Sequence, residues 1–117
     1  MDHTLKGKHA VVTGGSRGIG EATVLELAAQ GASVALLVNS SVLEGEAVAV
    51  RAREYGVECF VVQCDVANPL EVAGAFAEVS ERFGSLEICV NNAGMVHNAA
   101  AEDMSFEEWN HMISTNL

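Results

Sequence analysis

An α/β fold built of βαβ units around a parallel sheet is the architecture this sequence predicts, and three observations carry it. Apolar runs of strand length alternate with helix-period segments from one end of the chain to the other. The run Val34-Ala35-Leu36-Leu37-Val38 is apolar at every position, as a strand covered on both faces must be. Glycines stand where helical segments hand over to the strands that follow, at Gly31, Gly56 and Gly84.

The first strand is expected at His9 to Thr13 and the second at Val34 to Val38. Val57 to Gln63 and Leu86 to Asn91 read as the third and fourth. A first helix starts near Arg17 and ends at Gly31, whose missing Cβ suits a left-handed cap. A second runs from about Val42 to Tyr55 and ends the same way at Gly56. The third has the clearest signature: Asn68 as N-cap, Pro69 at the first helical position, Glu71 in the first turn and an apolar stripe of Val72, Phe76, Val79 and Phe83 before Gly84. A fourth opens with the capping-box pattern Ser105-Phe106-Glu107-Glu108 and carries Trp109, Met112 and Ile113; the sequence reads as stopping within it, at Leu117.

These 117 residues suit one domain, expected over 1–117, with a core of its own. Half of them are hydrophobic and 19% are charged, which is a globular composition. The net charge of −10 repels polyanions, so neither nucleic acid nor an anionic membrane surface is expected as a partner. No run reaches the roughly 18 to 20 apolar residues of a spanning helix, and Met1 to Lys6 lacks a signal-peptide apolar core, so a cytoplasmic location is expected. Cys59, Cys64 and Cys89 are odd in number and set in apolar or strand-like runs, which favours reduced core thiols over disulfides or metal ligation. His3, His9, His97 and His111 show no ligand spacing, so no metal is expected.

Thr13-Gly14-Gly15-Ser16-Arg17-Gly18-Ile19-Gly20 falls between a strand and a helix. A glycine-rich turn there can aim backbone N–H groups at a pyrophosphate on the helix N-terminus. Gly14 permits the tight turn and Gly18 the close approach, while Gly20 and Ala22 are expected to let the first helical turn pack closely. An ordinary glycine-rich βα loop is the plainer reading of such a string taken alone. The spacing is Gly-x-x-x-Gly-x-Gly, however, and other features stand in register with it: Cys64-Asp65-Val66 after the third strand, Asn91-Asn92-Ala93-Gly94 at the end of the fourth, and Asn116 seven residues past Trp109.

Together these resemble the short-chain dehydrogenase/reductase family, in particular its members of the 3-oxoacyl-[acyl-carrier-protein] reductase kind, over the whole chain. The resemblance implies a Rossmann-type doubly wound parallel sheet of strand order 3-2-1-4, cut short before a fifth strand. It implies that Gly14, Ser16, Arg17, Gly18, Ile19 and Gly20 wrap the ribose and diphosphate of a dinucleotide. Asp65 would hydrogen-bond the adenine amino group and Val66 would meet the adenine through its backbone, although Asp65 alone would pass for a turn aspartate. Asn91, Ala93 and Gly94 would flank the adenosine ribose and brace the sheet, with Thr13 tying the glycine turn to that segment.

Cofactor choice in this family rests on the end of the second strand, where relatives that prefer NAD carry an acidic residue. Val38-Asn39-Ser40-Ser41 offers none, and the hydroxyls of Ser40 and Ser41 with the guanidinium of Arg17 can receive a 2′-phosphate, so NADP is expected ahead of NAD. The residue at that strand end, Asn39, supplies no positive charge of its own.

The family's reaction is hydride transfer to or from a carbonyl or alcohol carbon, with a Tyr-x-x-x-Lys pair passing the proton, a serine orienting the substrate oxygen and an asparagine relaying protons. Only the asparagine has a counterpart here, Asn116; Tyr55 has Cys59 four positions on, and Lys6 and Lys8 precede the first strand. The chain is therefore expected to be the cofactor-binding half of an NADP-dependent carbonyl or alcohol oxidoreductase, inactive by itself, with substrate met only when a second half is supplied. The alternative is a non-catalytic dinucleotide-binding module or an inactive remnant. A half-domain of this kind leaves an open strand edge and apolar groups such as Trp109 and Ile113 poorly covered, which favours self-association.

Overall fold

A computed structural model of the chain describes residues 4–14 and 18–92. Along them run β1 (His9–Thr13), α1 (Gly18–Ala29), β2 (Ser33–Val38), α2 (Val42–Arg53), β3 (Cys59–Gln63), α3 (Pro69–Phe83) and β4 (Ile88–Asn91). The four strands form one sheet in the order β3-β2-β1-β4, and every neighbouring pair is parallel. This is the doubly wound arrangement that the resemblance implies. The fourth helix expected from Ser105 onward lies outside the described residues.

Strand pleating divides the core into two layers. Ala10, Val12, Val34, Leu36, Cys59 and Ile88 face α1 and α2, meeting Val24, Ala28, Val48, Ala49 and Ala52. Val11, Ala35, Leu37, Phe60, Val62 and Cys89 face α3 on the other side, meeting Val72, Phe76, Val79 and Phe83. Every residue of β2 from Val34 to Val38 is buried, which is why its sequence carries no alternation. Each large side chain in the α3 stripe contributes about 1.5–3 kcal/mol by leaving water. Phe76, 1% exposed, is the largest fully buried side chain among the described residues, and its replacement by alanine would cost about 3–5 kcal/mol.

The helix ends follow local chemistry. Asn68 Oδ1 accepts the N–H groups of Leu70 at 3.0 Å and Glu71 at 3.3 Å, and Gly84 closes α3 in the left-handed region at φ 80°. Gly31 and Gly56 also hold positive φ, at 101° and 88°. α2 is shorter than its sequence suggests, because Tyr55 and Gly56 donate to Ala52 and Arg53 in tight i→i−3 turns that no longer count as α-helix. β3 starts at Cys59 rather than Val57, since the Glu58 N–H goes to the Ser33 hydroxyl instead of a backbone partner. β4 starts at Ile88 rather than Leu86; the side chain of Leu86 packs beneath α3 instead.

One packing expectation is corrected. Gly20 is buried as expected, but Ala22 is exposed: α1 turns Gly20, Val24 and Ala28 toward the sheet, and two residues on from Gly20 the helix has rotated away from it.

Candidate functional site

Because the four strands are parallel, the segments that leave their C-terminal ends gather along one edge of the sheet. β1 lies between β2 and β4, so the chain winds one way from β1 and the other way to β4. That reversal is a topological switch point, where open α/β sheets form a crevice for ligands. The sequence-marked residues that the structure describes all lie on this edge: Gly14 after β1, Gly18, Ile19 and Gly20 in the first turn of α1, Asn39, Ser40 and Ser41 after β2, Asp65 and Val66 after β3, and Asn91 closing β4. Ser16, Arg17, Ala93, Gly94 and Asn116 lie outside the described residues.

At the crevice, Gly14 donates its N–H to Leu37 O at 2.9 Å, extending the β1–β2 ladder, and then turns the backbone at φ 67°. Gly18 opens α1 at φ 63°, a conformation that costs other residues roughly 1–2 kcal/mol. A Cβ placed on Gly18 would meet no heavy atom of the described residues within 4 Å, so none of them crowds the backbone at the mouth of α1. Ile19 stands beside it, 78% exposed.

Thr13, fully buried, fastens this turn to β4. Its hydroxyl donates to Asn91 Oδ1 at 2.9 Å and accepts the Asn92 N–H at 3.0 Å. The neighbouring Asn92 Nδ2 is buried and has no hydrogen-bond partner among the described residues. On the other flank, Asn39 and Ser40 are exposed, Ser41 occupies the N-cap of α2, and the Asn39 carbonyl accepts Gln63 Nε2 at 3.0 Å. No carboxylate occurs from Val38 through Ser41.

After β3, the Cys64 N–H donates to Val38 O at 2.8 Å, which keeps the Asp65 turn level with the end of β2. Asp65 Oδ1 accepts the Ala67 N–H at 3.0 Å, as in an Asx-turn, while Val66 packs its side chain against the α3 layer. A carboxylate offers about four lone-pair sites, so the turn bond leaves Asp65 able to accept from a further donor. Sequence reasoning missed Glu71, whose Oε1 accepts the Asp65 N–H at 2.9 Å. The Asn68-x-x-Glu71 spacing was the available signal.

Two apolar grooves lie along helices of the described residues. One of about 340 Å³ runs along Ile19, Ala22, Thr23, Glu26 and Leu27, and another of about 550 Å³ along Ala73, Phe76, Ala77, Ser80 and Leu86. Neither is lined by Asn39, Asp65 or Asn91, so both are distinct from the candidate site at the strand ends. The thiols do not take part: burial pushes Cys59 and Cys89 up to about 12, and burial, with the Glu71 and Asp65 carboxylates adding to it, takes Cys64 to about 11. All three are unpaired by disulfides, as the sequence suggests. Among the described residues no helix is long and apolar enough to cross a membrane.

Comparison with known proteins agrees with this geometry. The family model for short chain dehydrogenase matches residues 8–117. A 3-oxoacyl-[acyl-carrier-protein] reductase FabG of Staphylococcus aureus is 42% identical over 110 residues, which cover 94% of this chain and 45% of the relative. The chain thus spans less than half the length of that protein. A short chain dehydrogenase from Burkholderia cenocepacia, solved in complex with NADP, superposes with a TM-score of 0.74 at 40% identity, covering 91% of this chain and 43% of its own. An NAD+-bound xylitol dehydrogenase superposes with the same TM-score at 37% identity, covering 78% of this chain and 35% of its own. With the family match running through nearly all of its length and the switch-point crevice in place, the chain belongs to the short chain dehydrogenase family.

Proposed function

We propose that this chain supplies the dinucleotide-binding portion of an NADP-dependent oxidoreductase that interconverts carbonyl and alcohol groups. The observation that carries the reading is the gathering of Gly14, Gly18, Asn39, Asp65 and Asn91 on one edge of the sheet at its switch point. The residues fit a dinucleotide: two glycines at positive φ shape the turn, and no described residue crowds the backbone beside Gly18. In this reading Gly14, Ser16, Arg17, Gly18, Ile19 and Gly20 hold the ribose and diphosphate, with α1 presenting its N-terminus to the negative charge. Asp65 and Val66 hold the adenine, and Asn91, Ala93 and Gly94 border its ribose. Bound there, the dinucleotide would supply or accept the hydride, and Asn116 would relay protons toward the reacting oxygen.

The preference for NADP over NAD rests on the strand-end sequence. Asn39, Ser40 and Ser41 present no carboxylate to repel a 2′-phosphate, the two serine hydroxyls can donate to it, and Arg17 can neutralise it. One related structure holds NADP and another NAD+, so relatives bound to either dinucleotide share this fold. Reduced core thiols accord with a cytosolic setting. Calorimetric titration of the chain with NADP and with NAD tests the proposal. NADP is expected to bind the more tightly, and Arg17→Ala to reduce that preference. Equal affinities would overturn the NADP assignment, and no heat with either at millimolar concentration would overturn dinucleotide binding.

A further inference from the structure

We propose that Glu71 is a positioning residue for the adenine end of the crevice, holding Asp65 in place without touching the ligand; this rests on the dinucleotide reading above. In the usual capping box, the carboxylate at the third helical position returns to the backbone N–H of the N-cap residue. α3 departs from that pattern. The Asn68 N–H is taken by Asp65 O at 2.9 Å, and the Glu71 carboxylate reaches further back, so that its Oε1 accepts the Asp65 N–H at 2.9 Å. Its other oxygen, Oε2, accepts Asn68 Nδ2 at 3.3 Å. One carboxylate thereby joins the cap of α3 to the backbone of the residue that would read the adenine.

Together these bonds hold the Asp65 peptide from both sides. The preceding residue is tied to β2 through Cys64 N–H to Val38 O, and the following turn is tied through Ala67 N–H to Asp65 Oδ1. Without Glu71 the Asp65 N–H would return to water and the turn would be held less firmly, by the Asp65 carbonyl, the Asp65 side chain and the Cys64 N–H alone. The Asp65 carboxylate would then be placed less precisely at the strand end. The bond is charge-assisted and exposed, so its loss should be felt as a modest change in ligand affinity rather than as unfolding.

The test uses the chain with Glu71→Ala, Glu71→Gln, Asn68→Ala, Asp65→Ala and the double variant Asp65→Ala/Glu71→Ala. Glu71→Ala should speed exchange of the Asp65 amide proton at least tenfold and weaken NADP binding roughly three- to tenfold, the scale of one solvent-exposed hydrogen bond. Glu71→Gln keeps an oxygen acceptor and should restore both to near the wild-type values. Asn68→Ala, which strips the helix cap but leaves the carboxylate, should weaken NADP less than Glu71→Ala does. In the Asp65→Ala background, removing Glu71 should cost nothing further. An unchanged Asp65 exchange rate, an unchanged NADP affinity, or an undiminished loss in the double variant overturns the positioning role while wild-type binding still stands. Failure of the wild-type chain itself to bind NADP overturns the dinucleotide reading, and this inference with it.

Discussion

The Thr13 hydroxyl donates to Asn91 Oδ1 at 2.9 Å across the last rung of the β1–β4 ladder, and the Thr13 Oγ1 itself accepts the Asn92 N–H. This places one buried side chain in charge of the spacing between the glycine turn and the end of β4. Thr13→Val keeps the shape and removes both bonds, leaving the Asn92 N–H without its acceptor. It should destabilise the chain by about 1–3 kcal/mol, read as a lower urea midpoint at unchanged slope. Thr13→Ser should recover most of the loss. A valine variant as stable as wild type would show that the bridge is energetically idle.

A valine at position 18 would meet two separate obstacles. Gly18 sits at φ 63°, where a β-branched residue is strongly disfavoured, and its side chain would fill space beside the turn that no described residue occupies. Gly18→Val should therefore abolish NADP binding while leaving the circular dichroism spectrum nearly unchanged, because the strands and the α3 stripe are remote from it. Gly18→Ala adds less bulk at a similar backbone cost, roughly 1–2 kcal/mol, and should bind with intermediate affinity. Equal binding by wild type and valine variant would place the ligand elsewhere.

The sequence was most legible where a single local force decides the structure. The fully buried β2, the Asn68–Pro69 start of α3 and its Gly84 stop each follow from burial or capping alone, and the strand and helix they predict are observed. Element ends were less legible because competing bonds settle them. The Ser33 hydroxyl shortens β3 by taking the Glu58 N–H, and i→i−3 turns at Tyr55 and Gly56 end α2 early. Ala22 misled because its small size suggested close packing, whereas helical rotation turns it to solvent. In the site, the strand-end residues were marked by their motifs, but the grip of Glu71 on Asp65 depends on how the β3–α3 turn folds back.

At the opposite edge of the sheet, Glu87 offers a pH-dependent contact. Its burial favours the neutral carboxyl, but the Ser85 hydroxyl, the His9 N–H at 2.7 Å and the positive charges of His9 and Lys8 outweigh this and hold it below its ordinary 4.5. A carboxylate depressed on folding adds stability that is present above its unfolded value and is lost as pH falls through the folded one. The melting temperature of wild type should thus drop as pH is lowered below about 4.5, and Glu87→Gln should show a shallower drop over that window. Parallel acid profiles would assign the acid sensitivity to other carboxylates.

In the proposed reading, these 117 residues by themselves do not carry the proton transfer. Tyr55 has Cys59 rather than lysine four positions on, and it follows the C-terminal end of α2, near the N-terminal ends of the strands and away from the crevice. A polypeptide of these residues should reduce no carbonyl compound with NADPH or NADH above the uncatalysed rate. Turnover that disappears in Asn116→Ala would refute this.

The three cysteines divide between the layers of the core: Cys59 lies under the α1–α2 side of the sheet, Cys64 and Cys89 under α3. Buried and held neutral, none can react with an alkylating reagent until its own layer opens. The native sequence therefore carries two internal clocks, one for each face. The order in which the thiols become labelled under mild denaturant would reveal which helical layer lifts from the sheet first.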